Sequence, residues 1–376
     1  MTARAYLIRS LQLTLVVVTL VVGLNFVVDP YRIFGASRIP GLNEYKVDIN
    51  DHVRLMKKYN PLREQHNALI VGNSRAEMGI NPAHQCFQDA GMKVYNLGVP
   101  GGSVRAQLAY ALNLVYQQPI RTIFLSLDFT DFIWTKRHSR FDVPPLLEYT
   151  VDGFRFSASG EPSPTYFRTL LLDYFRSLFS LESLVASLKT LALQGRDTPD
   201  RDDAGFNPAR DFEKIVRIEG PRALFDQKMS DLEQHFSTTW YLRDAEGLFD
   251  PSFSDLEVFL DLAAERQMKV YLFVNPFHDS YWNLLRGKGH MHLHVEWLKA
   301  LETLLGNYTE ESVTLWDFSV DSPFIHEAIP ATGQKSGPLQ WFWEPSFYRQ
   351  QLGDLMIEAM LSDTCDTEAA LGRKVQ

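Results

Sequence analysis

Five short apolar runs, set apart by helical or irregular stretches, predict an α/β fold. The expected architecture is a doubly wound, five-stranded parallel sheet with a helical insertion and an N-terminal transmembrane helix. Three observations carry it. The runs are continuous rather than alternating, as in strands covered on both faces. Helical patterns recur between them, and alternating strands and helices build a parallel sheet. Polar or glycine-rich residues follow each run, and in open α/β sheets ligands collect at the carboxyl ends of strands.

The first element is the stretch Leu11 to Val28, interrupted only by Gln12, two threonines, Gly23 and Asn25. It matches the roughly 20 residues needed to cross a hydrocarbon core. Arg4 and Arg9 precede it, which favours residues 1–10 in the cytoplasm and the rest outside it. A cleaved signal peptide is the main alternative, but the run is long for one and lacks a clean small-x-small cleavage site. A buried core helix fits less well with a terminal, nearly uncharged run. Asp29-Pro30-Tyr31 should end the helix, because proline disfavours helix in the residue before it. Residues 29–66 then read as a polar neck with short helical pieces.

The strands are expected at Ala68 to Val71, Val94 to Leu97, Thr122 to Leu127, Val270 to Val274 and Val313 to Trp316. Ser103 to Tyr116 reads as a helix with Ser103 as N-cap, and Ser254 to Arg266 as another. Residues 67–137 and 252–363 would form the two parts of one domain. Residues 138–251 do not fit one crossover. They hold an aromatic-rich amphipathic pattern from Tyr166 to Leu193 and a charged stretch, Arg196-Asp197-Thr198-Pro199-Asp200-Arg201-Asp202-Asp203, expected to be flexible. This is either a lid near the end of the third strand or a structural subdomain on a sheet edge. The tail, 364–376, is expected to fray.

Composition narrows the function. The 376 residues are 45% hydrophobic and 22% charged, enough apolar material for a large core. A formal charge of −9 without a dense basic run argues against nucleic-acid binding. Two distant cysteines, Cys86 and Cys365, form no metal motif; two separate buried thiols are expected, with pairing the alternative in an oxidising compartment. His290, His292 and His294 alternate, but a loop leading into a helix from Val295 would leave them exposed. No metal or cofactor is expected.

If the strands are parallel, their following loops meet at one end. Those loops carry Asn73, Ser74 and Arg75; Gly98-Val99-Pro100-Gly101-Gly102-Ser103; Asp128 and Asp131; Asn275, Pro276 and His278; and, further on, Glu344. A nucleophile, oxyanion donors and an acid–base pair converge in such a setting. Here the chain resembles the SGNH/GDSL hydrolase superfamily, especially its membrane-associated or periplasmic members that modify envelope polysaccharides. The resemblance covers roughly Ala68 to Leu361, interrupted by the insertion, and implies a flavodoxin-like sheet. Gly72-Asn73-Ser74 is similar to the first block, making Ser74 the nucleophile. Tyr95-Asn96-Leu97-Gly98 is similar to the second, making the Gly98 N–H an oxyanion donor. Leu125-Ser126-Leu127-Asp128 sits at the third block without its Gly-x-Asn-Asp, so the oxyanion asparagine has no counterpart. Glu344-Pro345-Ser346-Phe347 sits at the fifth, where the family carries Asp-x-x-His.

Glu344 for aspartate is tolerable, since glutamate also orients an imidazole. Phe347 for histidine is severe: a serine hydroxyl without a base is a poor nucleophile at neutral pH. His278 is the best replacement base, against a reading as a binding or supporting histidine. His326, in a loop, and Asp128 are weaker candidates. Asn73, Arg75, Asp128 and Asn275 are candidate oxyanion or substrate-binding residues. Trp282, Trp341, Trp343 and Tyr348 would stack on sugar or pack in the core.

The expected function is an esterase or O-acetyltransferase acting on ester groups of a cell-envelope or exported polysaccharide, from the outer side of the inner membrane. Its substrate would be a polysaccharide or a small acyl ester, and its other partners the bilayer and envelope-complex proteins. The alternative is a disabled fold that binds a glycan or a partner in an export or modification complex.

Overall fold

The computed structural model describes residues 2–136, 145–195, 198, 200–334, 337–365 and 371–375. The expected start of the insertion at residue 138, and Arg196, Asp197 and Pro199 of the charged stretch, lie outside them. The chain opens with one helix long and apolar enough to cross a membrane, α1 (Ala3–Val28), of which only 11% of the most apolar window is buried. At about 1.5 Å per residue its 26 residues exceed the roughly 30 Å of a hydrocarbon core.

α1 stops at Asp29, which takes left-handed backbone dihedrals (φ 47°) just before Pro30. The Asp29 carboxylate then accepts the backbone N–H groups of Ile33, Phe34, Gly35 and Ala36, which fixes the exit of the chain. The neck continues through a 3-10 turn at Ile49–His52, α2 (Val53–Tyr59) and a second 3-10 turn at Asn60–Arg63.

Next come β1 (Ala68–Val71), α3 (Ser74–Gly79), α4 (Gln85–Asp89), β2 (Val94–Asn96), α5 (Val104–Val115) and β3 (Thr122–Leu127). Ser103 caps α5 as expected, its side chain accepting the Ala106 N–H. The insertion holds two helix pairs, α6 (Tyr166–Phe179) with α7 (Leu181–Ala192), and α8 (Arg210–Glu219) with α9 (Pro221–Phe236). The chain returns through α10 (Pro251–Glu265), β4 (Lys269–Val274), α11 (Asp279–Gly287), α12 (Met291–Leu305) and β5 (Val313–Asp317). A small antiparallel hairpin, β6 (Phe342–Glu344) with β7 (Phe347–Tyr348), precedes α13 (Gln350–Met360) and β8 (Arg373–Lys374).

The main sheet has six strands in the order β2-β1-β3-β4-β5-β8. β1 to β5 are parallel, with Leu69 facing both Tyr95 and Ile123 in register. β1 to β3 are buried along their whole lengths, in keeping with their unbroken apolar runs. The order changes direction at β1, so β1 and β3 are neighbours at a switch point, the place where ligands bind in open α/β sheets.

Three expectations need correction. The tail does not simply fray: Leu371 is buried, and β8 pairs antiparallel with β5, Asp317 against Arg373. The cysteines are not separate thiols, since Cys86 and Cys365 form a disulfide across 279 residues. The second half of the charged stretch, residues 200–203, is not a loose loop. Asp200 and Arg201 are buried, and Arg38 bridges Asp200 and Asp203.

Candidate functional site

Asn73 ends the β1 turn in extended conformation and caps α3, its Oδ1 accepting the Arg75 N–H at 2.9 Å. Ser74 is thereby the first helical residue and stays half-buried, open to the surface at the carboxyl end of the sheet. The turn is tight. A Cβ on Gly98 would lie 2.8 Å from the Glu77 backbone nitrogen and 2.9 Å from the Asn73 carbonyl, so only glycine lets the β2 loop approach this closely.

Beneath the turn, four of the expected residues form one polar network centred on Asp128. The buried Asp128 carboxylate accepts Asn73 Nδ2, Arg75 Nη1 at 2.9 Å and Asn275 Nδ2 at 3.0 Å. Asn275 also donates to Ser126 Oγ at 2.7 Å and accepts the Tyr348 hydroxyl at 3.0 Å. Asn73 Nδ2 and Gln107 Nε2 both donate to Asp131 Oδ2 at 3.2 Å. Burial, and then the neighbouring Asp128 charge, push the Asp131 carboxyl up to about 7, against the pull of Arg75. A carboxyl poised there exchanges a proton at neutral pH.

Arg75 bridges the two halves of the site. Its Nε donates to the Ser346 carbonyl at 2.8 Å, and its guanidinium sits 5.2 Å from the Phe277 ring centroid and 5.4 Å from that of Phe347. Burial lowers its pKa, but Asp128 together with Tyr281, Asp131 and Glu344 outweighs burial and raises it. Phe347 thus supplies an aromatic face to a cation. Its other neighbours include Phe212 at 6.0 Å and Lys228, whose Nζ lies 5.8 Å from the ring centroid, and the α8–α9 pair packs on the β6–β7 hairpin.

The remaining expected residues are engaged elsewhere. His278 is buried and caps α11. Its Nδ1 accepts the Ser280 N–H at 3.1 Å, so its Nε2 is the nitrogen that donates to the Glu327 carbonyl at 2.8 Å. Burial lowers its pKa, which keeps it neutral. Among the described residues, Ser74 makes no hydrogen bond to a histidine. The Gly98 N–H is donated to Asn96 Oδ1 at 2.9 Å, and an oxyanion would compete with that bond. Glu344 is buried and accepts from Ser346, both from its N–H at 3.0 Å and from its hydroxyl at 2.9 Å. Burial raises its pKa, partly offset by Lys228 and by these bonds.

His326 is an exposed residue paired with Asp321. Trp282, Trp343 and Tyr348 are packed in the core. The histidine trio is placed differently from expectation. α12 begins at Met291, so His292 and His294 are helical, and His294 is buried beside Phe129, Trp282 and Trp297, where burial lowers its pKa to about 4. Among the described residues no group of three or more metal-type side chains comes together.

Two features escaped sequence reading. Asp131 was visible only as a polar residue after β3, since its raised pKa depends on burial and on the neighbouring Asp128 charge. Behind α3, Glu77 is buried against Arg201 at 3.0 Å and Lys57 at 3.4 Å, and Lys57 also donates to the Asn96 and Gly205 carbonyls. Burial lowers the Lys57 ammonium to about 8, although Glu77 pulls it upward. Compared with known proteins, no family model matches the chain and no curated protein matches it either.

Proposed function

We propose that the chain is a membrane-anchored, extracytoplasmic protein of the SGNH/GDSL type, with its five parallel strands doubly wound. It acts on ester groups, O-acetyl above all, of a cell-envelope or exported polysaccharide. The observation that carries this reading is the half-buried Ser74 at the start of α3, between Asn73 and Arg75, which both bond Asp128 in a network whose Asp131 carboxyl is held up to about 7. In the reaction Ser74 Oγ attacks the ester carbonyl and its proton passes to the Asp131 carboxylate, directly or through water. The tetrahedral intermediate collapses to an acyl-serine, and the leaving alcohol takes the proton back. Water or a sugar hydroxyl then attacks the acyl-serine by the reverse path. The Cys86–Cys365 disulfide supports the outer side of the membrane, where disulfides persist.

Purified full-length protein should release acetate from an acetyl ester probe, and Ser74→Ala should reduce this to the uncatalysed background. Equal turnover by the two proteins removes Ser74 from the chemistry.

The alternative, a disabled site that binds a glycan or a partner, also has an observation in its favour. Phe347 stacks on Arg75, and both ring nitrogens of His278 are engaged. Phe347→His distinguishes the two readings. A large gain in esterase rate indicates a native site that lacks only its base. No gain, together with an inactive wild type, favours binding.

A further inference from the structure

The α6–α7 pair is built inside out. α7 turns Ser183, Ala186, Ser187 and Thr190 inward, and α6 buries Ser177. Leu170 and Tyr174 of α6 pack inward, but most large apolar side chains face outward: Phe167, Leu171, Phe175 and Phe179 on α6, and Leu181, Val185 and Leu188 on α7 are all exposed. Their spacing, every fourth residue on α6 and i, i+4, i+7 on α7, lines each set along one stripe. In water the stripe would face the core and the serines the solvent. Small residues at the helix contact and large apolar ones outside is the arrangement of helices packed in lipid.

The pair is continuous with the membrane-spanning helix. α6 and α7 both pack against α1. Asn25, the polar residue near the end of the apolar run, is buried by them: its Nδ2 donates to the Leu178 carbonyl at 2.9 Å, and its Oδ1 accepts the Ser187 hydroxyl at 2.8 Å. Asn25 lies three residues before Val28, the last of α1, which is about 4.5 Å along the axis. The contact is therefore at the level where the chain leaves the hydrocarbon. Interfacial helices bury their apolar faces about 5–10 Å into the headgroup and acyl boundary, the same level.

We infer that α6 and α7 form an in-plane membrane element, with the Phe167-to-Phe179 and Leu181-to-Leu188 stripes inserted in the outer acyl boundary beside α1. The occupant of this apolar face is lipid. The inference rests on α1 spanning the bilayer. It assigns the first part of the insertion to the membrane and leaves α8–α9 to cover the site.

Both cysteines are tied in the disulfide, so one added cysteine labels selectively. The full chain is reconstituted in phosphatidylcholine–phosphatidylglycerol vesicles and labelled with an environment-sensitive fluorophore at Leu171→Cys, Phe175→Cys, Val185→Cys or Leu188→Cys. Val17→Cys in α1 and Lys299→Cys on α12 are the controls. The expected result is a blue-shifted emission at the four hairpin positions, quenched by lipid carrying a nitroxide near the headgroup and insensitive to aqueous iodide. Lys299→Cys should show the opposite. Quenching by iodide at the hairpin overturns the inference, and so does protection from both quenchers, which would mean that protein covers the face. The Val17→Cys label reports insertion of α1 separately, so a failed anchor and a failed hairpin give different results.

Discussion

Asp131 holds the most informative proton in the molecule. Its carboxyl is raised to about 7, so between about pH 4 and 7 it binds a proton more tightly in the folded chain than in the unfolded one. The stability it contributes is therefore present at the acid end of that window and lost as the pH rises through about 7. Asp131→Asn cannot ionise, and in urea unfolding it should gain on the wild type as the pH goes from about 5 to about 8. In the proposed reaction the active form is the carboxylate. Ester turnover should rise with pH through an apparent pKa near 7, and Asp131→Asn should lose that ascending limb together with about 10²–10⁴ in rate. An unchanged pH–rate profile in the variant assigns the proton to another group. Phe347 was legible in the sequence as a departure from Asp-x-x-His. Its stacking on Arg75 was not, because Arg75 lies far away in the sequence and the two meet only once α3 and the β6–β7 hairpin are packed.

Among the elements, α3 and α13 approach closely at a pair of glycines. A Cβ on Gly353 of α13 would lie 1.8 Å from the Gly79 carbonyl oxygen at the end of α3. Backbone on both sides leaves nothing flexible to yield, so Gly353→Ala should push the helices apart and cost about 1–3 kcal/mol or more in chemical denaturation. Because α3 carries Ser74, any esterase activity should fall further than the loss of stability explains when assayed well below the unfolding temperature. A variant of wild-type stability and activity would show that α13 shifts freely. The five parallel strands were legible because a strand covered on both faces must be apolar throughout. β8 was not: Arg373 and Lys374 form a two-residue edge strand whose side chains remain exposed. Residues 200–203 misled for a similar reason. Their charges read as solvated because the partners that bury them, Arg38 and Glu77, stand 162 residues from Asp200 and 124 from Arg201.

At the scale of the whole molecule, the Cys86–Cys365 disulfide ties α4 to the residues just after α13 across 279 positions. Replacing both cysteines with serine should lower stability by about 2–5 kcal/mol, read as a smaller midpoint in denaturant, and reduction of the wild type should reproduce the shift. An unchanged midpoint would make the bond incidental to the fold. His278 shows why the site as a whole was only partly legible. Its position after β4 was readable, but the Glu327 carbonyl that engages its Nε2 comes from a loop 49 residues on. The ionic knot behind α3 adds a constraint in time. Lys57, Glu77 and Arg201 come from the neck, the serine turn and the insertion, and loop-closure entropy rises only slowly with length. Such distant pairings cost little in final stability but delay folding. Until residue 201 arrives, the nascent chain has only Lys57 of the two cations that face Glu77, so β1 to β3 can pair before the helix that begins at Ser74 is fully held.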